Sequence, residues 1–143
     1  MANIHIEQIR DDLTWRIRRE AMYPDEPLDS VKLEEDKEGV HFGLFADDQL
    51  TTVISLFHEG TAHQFRKFAT IVRAQGKGYG STLLEHTISY AKEQGATRIW
   101  CNARVSAIAF YAKFGFSETG QSFRKRNIDF VIMELQLDNP LDA

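Results

Sequence analysis

The stretch Gln75-Gly76-Lys77-Gly78-Tyr79-Gly80-Ser81 constrains this chain more than any other, because it stands between a β-rich run and a helical period. HQFRKFATIV (63–72) reads as a strand. In STLLEHTISYAKEQ (81–94), Leu84, Ile88 and Ala91 fall at i, i+4 and i+7 before Gly95 ends the helix. TRIWCNA (97–103) is a strand again, so the order is strand, glycine-rich turn, helix, strand, a βαβ-like unit. The first N–H groups of a helix lack intrahelical partners, and the helix dipole favours an anion there. Glycines let the main chain approach a phosphate or pyrophosphate closely, and Lys77 adds charge at the rim. The spacing is neither that of a Walker A loop nor the dinucleotide G-x-G-x-x-G, since the glycines fall at 76, 78 and 80. A turn that needs glycine only for positive φ is the competing reading.

The flanking segments extend this pattern. NIHIEQI (3–9) alternates as a short strand, and Asp11 or Asp12 caps a helix with Leu13, Ile17 and Ala21 at four-residue spacing, stopped by Pro24. HFGLFAD (41–47) and LTTVISLFHE (50–59) form a hairpin around Asp48 and Gln49. A shorter helix carries Val105, Ile108, Ala109 and Ala112 on one stripe and ends at Gly115. FSETG (116–120) and NIDFVIMELQL (127–137) are strands around a basic turn, Arg124-Lys125-Arg126. The fold class is α/β (α+β), with one mixed, mainly antiparallel central sheet flanked by helices. The 143 residues make one domain, 1–143, with no linker or internal repeat.

Composition narrows the function classes. Lys plus Arg is 17 and Asp plus Glu is 21, a net charge of −4, so overall charge favours neither nucleic acid nor an anionic membrane. The first twelve residues carry charges where a signal peptide needs its apolar centre, and no apolar run approaches the roughly 20 residues that span a bilayer. The expected location is the cytoplasm. Single Cys101 excludes an internal disulfide and multi-cysteine metal sites, and the five histidines show no paired ligand spacing, so no metal is expected. Cys101 sits in an apolar strand and reads as a packing residue rather than an acyl-accepting nucleophile. Residues 25–38 hold seven acids against Lys32 and Lys37, a local balance of −5. That run reads as a solvated helix and loop, or as a lining that attracts a polyamine or lysine-like amine. Arg124, Lys125 and Arg126 read as an exposed hairpin turn.

Tyr111 lies in Phe110-Tyr111-Ala112-Lys113-Phe114-Gly115-Phe116. At about 100° per residue it projects about 110° from the middle of the Val105 stripe, at the edge of the buried face. A phenol there leaves its hydroxyl in a cleft, protonated at neutral pH and able to deliver a proton to a thiolate. The competing reading is a packing aromatic with its hydroxyl in water.

Together these elements resemble the GNAT superfamily of acyl-CoA N-acyltransferases. Gln75, Gly78 and Gly80 match its (Arg/Gln)-x-x-Gly-x-(Gly/Ala) signature between strand and helix. Ala107, Phe110, Tyr111, Gly115 and Phe116 match its later A-x-x-F/L-Y-x-x-x-G-F pattern, and WCNAR…AIAFYAKFGF looks most like small bacterial members of the ElaA or YjcF type.

The resemblance implies a GNAT-like sheet and acetyl-CoA as co-substrate, its pyrophosphate on the main chain of Gln75, Gly76, Lys77, Gly78, Tyr79, Gly80 and Ser81. It implies a pantetheine arm paired with the strand edge at Phe68, Ala69 and Thr70, with Asn102 as a further hydrogen-bond partner. A strand N–H would polarise the thioester carbonyl, and Tyr111 would be the general acid. The implied reaction is direct transfer in a ternary complex to a primary amine of a small molecule or peptide. Glu59, His58, His63 or a water would be the base, because position 64, where some members carry glutamate, is Gln64. A catalytically silent acyl-CoA sensor on the same fold is the alternative, and a nucleotide-phosphate binder a third. C-terminal strands of this kind often pair between subunits in the family, so the partners expected are an amine acceptor and a second copy of the chain.

Overall fold

The computed structural model describes residues 2–137, with seven strands in one sheet ordered β1-β2-β3-β4-β5-β7-β6. The strands are β1 (Ile4–Ile9), β2 (Val40–Ala46), β3 (Gln49–Glu59), β4 (Ala62–Thr70), β5 (Arg98–Arg104), β6 (Ser117–Lys125) and β7 (Ile128–Gln136). The α-helices are α1 (Asp12–Met22), α2 (Tyr79–Glu93) and α3 (Ile108–Ala112), and short 3-10 helices lie at Leu28–Val31, Glu34–Glu38, Val72–Ala74 and Val105–Ala107. The β1–β2, β2–β3, β5–β7 and β6–β7 pairs are antiparallel, whereas β4 and β5 are parallel. The mixed, mainly antiparallel sheet expected from the sequence is therefore present. Its contacts divide the chain into two compact units.

The first unit runs to Phe57 and adds Arg66–Thr87. Asp11 caps α1 by accepting from the Asp12 N–H. Of the expected Leu13, Ile17 and Ala21 stripe, Ile17 is buried and Ala21 half-buried, but Leu13 is 41% exposed and the buried face takes in Thr14 and Arg18 instead. The phase shifts because a buried charge, described below, anchors the helix. Asp47 (φ 50) and Asp48 (φ 66) form the β2–β3 turn, one residue before the expected position, and Gln49 already pairs with Ala46. Two consecutive positive φ values give the turn whose twist matches the flanking strands. Phe42, Leu44, Val53, Ile54, Leu83 and Leu84 fill the core.

The second unit comprises His58–Phe65 and the chain from Ile88 on. Gly95 (φ 85) closes α2: its N–H donates to Lys92 O while Ala96 N–H donates to Ala91 O. Gly115 (φ 93) closes α3 the same way, with Gly115 N–H on Ala112 O and Phe116 N–H on Tyr111 O. The expected Val105–Ala112 stripe is not the buried one: Val105 is 47% exposed and Ala109 and Ala112 are exposed. A 3-10 turn precedes α3, so 100° steps counted from Val105 lose their phase. The expected strand 116–120 is longer, β6 running to Lys125, and the hairpin turn is Arg126-Asn127 (φ 52 and 63). Arg124 and Lys125 thus belong to a strand.

Candidate active site

In the first unit the glycine-rich turn divides its labour among its glycines. Gly76 (φ 79) and Gly78 (φ 82) occupy the left-handed region, and a Cβ on either would meet nothing within 4 Å. They are needed for conformation, and the space above them is open. At Gly80 a Cβ would stand 3.3 Å from Phe68 Cζ, so this glycine lets the start of α2 pack closely on β4. Gln75 Nε2 donates to Thr70 O at 2.9 Å and ties the turn to the end of β4. Helix α2 begins at Tyr79, two residues earlier than expected, which brings the first-turn N–H groups of Tyr79, Gly80 and Ser81 into the turn. The Tyr79 side chain is buried, whereas Lys77 is exposed. Beside the turn a notch of about 330 Å³ is lined by Asp47, Gln49, Thr51, Arg73, Lys77 and Tyr79.

Strand β4 feeds this turn. Its parallel register with β5 covers Ala62↔Arg98, His63↔Ile99 and Gln64↔Trp100, the first three residues of each strand. Phe68, Ala69 and Thr70 lie beyond that register. Between the two stretches Lys67 takes φ 53, a conformation that costs a non-glycine residue about 1–3 kcal/mol.

In the second unit Tyr111 is half-buried, its ring 5.7 Å from Phe65 and 5.8 Å from Phe116. Burial pushes its phenol pKa well above the ordinary value; Cys101 adds to the rise and Arg104 opposes it. Tyr111 therefore holds its proton at neutral pH. Cys101 is 2% exposed, and burial raises its thiol to about 12. It is a packing residue and no thiolate nucleophile. Asn102 is exposed on β5, with its main chain opposite Ile132 of β7.

The candidate bases lie elsewhere. His58 and Glu59 are exposed at the end of β3, and His63 opens β4, seven residues before Thr70. His63 is buried with Nδ1 unpartnered among the described residues, 5.7 Å from the His58 ring. Burial, with His58, lowers its pKa. Among the described residues no group of three or more His, Cys, Asp or Glu gathers as a metal site, and no helix is long and apolar enough to cross a membrane.

The acidic run 25–38 is only partly a solvated face. Asp36 is 3% exposed and accepts from Arg18 Nη1 at 2.8 Å and Nη2 at 2.9 Å, from Trp15 Nε1 at 3.2 Å and from the Leu33 N–H at 3.0 Å. Arg18, fully buried, also donates to Val31 O and Ser55 Oγ. His41 closes the cluster, with Nε2 2.7 Å from Asp36 O and Nδ1 2.7 Å from Ser55 Oγ. A carbonyl only accepts, so Nε2 carries the proton. Arg66 and Lys67, which sequence reasoning passed over, are consecutive in the middle of β4, and Glu35, one of the seven acids of the 25–38 run, has its Oε2 3.5 Å from Arg66 Nη1. No sequence signal marks a lysine destined for positive φ.

The sequence pattern described as the acetyltransferase (GNAT) domain matches residues 18–137, and the chain belongs to that family of acyltransferases. It is 32% identical to a Bacillus subtilis (strain 168) protein named uncharacterized N-acetyltransferase YitI, over 84% of this chain and 87% of that one. Escherichia coli ElaA superposes with a TM-score of 0.79 at 12% identity, covering 94% of this chain and 100% of that one. A Bacillus subtilis acetyltransferase in complex with CoA does so with a TM-score of 0.73 at 23% identity, covering 96% and 100%. At these identities the structural likeness establishes the fold alone. The resemblance drawn from Gln75–Gly80 and Ala107–Phe116 is borne out at the level of family and fold.

Proposed function

We propose that the chain, acting as one catalytic domain in the cytoplasm, transfers an acetyl group from acetyl-CoA to a primary amine within a ternary complex. The turn Gln75–Ser81 carries this reading: Gly76 and Gly78 hold positive φ beneath open space at the start of a 15-residue helix. The pyrophosphate lies on those main-chain N–H groups, with Lys77 at the rim. The pantetheine arm pairs with Phe68, Ala69 and Thr70, which the β5 register leaves out, and Asn102 hydrogen-bonds the same arm. A β4 N–H stabilises the oxyanion as a neutral amine attacks the thioester carbonyl. The new N–C bond forms, the C–S bond breaks, and Tyr111 protonates the leaving sulfur. The one proton that the attacking nitrogen loses passes through water and restores Tyr111. Water suits this role because Gln64 accepts no proton and His58, Glu59 and His63 lie toward the other end of β4.

The test is release of free CoA thiol from acetyl-CoA over a panel of amino acids, polyamines, aminoglycosides and peptide N-termini. Turnover with at least one amine is expected. CoA binding without thiol release from any of them would instead select a silent acyl-CoA sensor, the reading that Gln64 favours.

A further inference from the structure

Strand β4 departs from regular alternation at one residue, and the departure gathers charge. In a regular strand Arg66 and Lys67 would project from opposite faces of the sheet. With Lys67 at φ 53, both reach the segment that follows the start of α1. Arg66 Nη1 lies 3.5 Å from Glu35 Oε2, and Lys67 Nζ stands 5.1 Å from the centre of the Tyr23 ring. Two cations consecutive in the chain thus meet residues of the stretch that follows α1, immediately before Phe68. Backbone strain of this kind persists where the surroundings enforce it, and it concentrates at sites that bind or react.

The carboxylate that meets Arg66 is held from behind. Glu35 precedes Asp36, whose bidentate bond to buried Arg18 fixes the 3-10 helix Glu34–Glu38. The Glu35–Arg66 pair itself is loose, at 3.5 Å with Glu35 57% exposed. A pair so hydrated adds little to stability, and its two charges are open to exchange with a ligand that carries the same two signs.

We propose that Arg66, Lys67 and Glu35 form a clamp for the acceptor, and that the acceptor is an α-amino acid. Its carboxylate takes the place of Glu35 on Arg66, beside Lys67, and its ammonium takes the place of Arg66 on Glu35. Arginine's planar fork suits a carboxylate. A polyamine, which the acidic run alone would favour, meets two cations at the point where it must react. The proposal rests on the acetyltransferase reading above, and it names the acceptor that reading leaves open.

The experiment measures binding of each of the twenty common amino acids to the protein–CoA complex by calorimetry, together with thiol release from acetyl-CoA. Methyl esters of those that bind, and putrescine, serve as the comparison. At least one amino acid is expected to bind roughly tenfold or more tightly than its methyl ester. Arg66→Gln erases that acid-to-ester ratio, and Glu35→Gln weakens acid and ester alike, with unchanged melting temperatures. An ester or putrescine bound as well as the acid, or a ratio that survives Arg66→Gln, overturns the clamp even where thiol is released. Binding with the expected ratio but no thiol release upholds the clamp and defeats the transferase reading. Binding of none of the twenty overturns the clamp.

Discussion

The cluster around Asp36 and the surroundings of Tyr111 treat buried ionisable groups in opposite ways. Arg18 and Asp36 are buried as charges, bonded to each other and to Trp15, Leu33, Val31 and Ser55, with Arg18 Nε left without a partner among the described residues. Cys101 is buried and Tyr111 half-buried as neutral groups, among rings and apolar side chains, and their pKa values rise because the charged form loses water. The first arrangement ties the acidic segment to α1 and β3 and is expected to fail as structure. The second keeps a proton available and is expected to fail as chemistry.

The sharpest way to break this contrast is Asp36→Ala, which leaves Arg18 buried without its counter-ion. A loss of about 3–5 kcal/mol is expected in urea unfolding. A loss below about 1 kcal/mol would mean that water reaches Arg18 and that the two regions do not differ. Tyr111→Phe, by contrast, should lower turnover about a hundredfold with CoA affinity preserved, since one hydroxyl leaves a ring that still packs on Phe65 and Phe116. Equal loss of both would make Tyr111 a packing residue. Gly78→Ala forces a Cβ into the left-handed region at φ 82 and should cost about 1–2 kcal/mol together with a weaker CoA complex, read by thermal shift with and without CoA.

The smallest effect sharpens the comparison by pH. Burial alone would raise the Asp36 carboxyl, but the Arg18 hydrogen bonds, aided by the Leu33 N–H, the Arg18 charge and Trp15, hold it below the usual range. Its stabilisation is thus present above about pH 3.9 and lost as the pH falls below that. His63, lowered by burial and by His58, stays neutral in the fold, so its share is complete above about pH 6.5 and lost as the pH falls from there. Urea midpoints should decline in two steps on acidification. His63→Leu removes the upper one, and identical profiles for both proteins would show that His63 protonates freely.

Much of this architecture is legible in the sequence because it rests on local rules. Glycines at 76, 78, 95 and 115 sit where positive φ is required, Asp11 caps α1, and the run from Ala62 to Arg104 reads directly as strand, turn, helix and strand. What escaped is long-range or carries no period. Arg18 counts as polar in any hydrophobic pattern, and only Asp36, eighteen residues on, makes its burial tolerable. The outer half of β6 is exposed on every residue, so it shows no alternation to read. In the candidate site the turn and Tyr111 announce themselves by spacing. Arg66 and Lys67 do not, because a lysine forced into the left-handed region leaves no trace in composition.

The buried thiol has a practical meaning of its own. Cys101 is the chain's single cysteine, and at 2% exposure with a thiol raised to about 12 it offers almost no thiolate to a reagent in the folded state. A colour reagent added to count CoA thiols therefore counts CoA alone while the fold holds. Where an alkylating agent does label Cys101, the labelling rate reports how often β5 opens. The molecule thus carries an internal clock for its own unfolding, readable without introducing a dye or changing a residue.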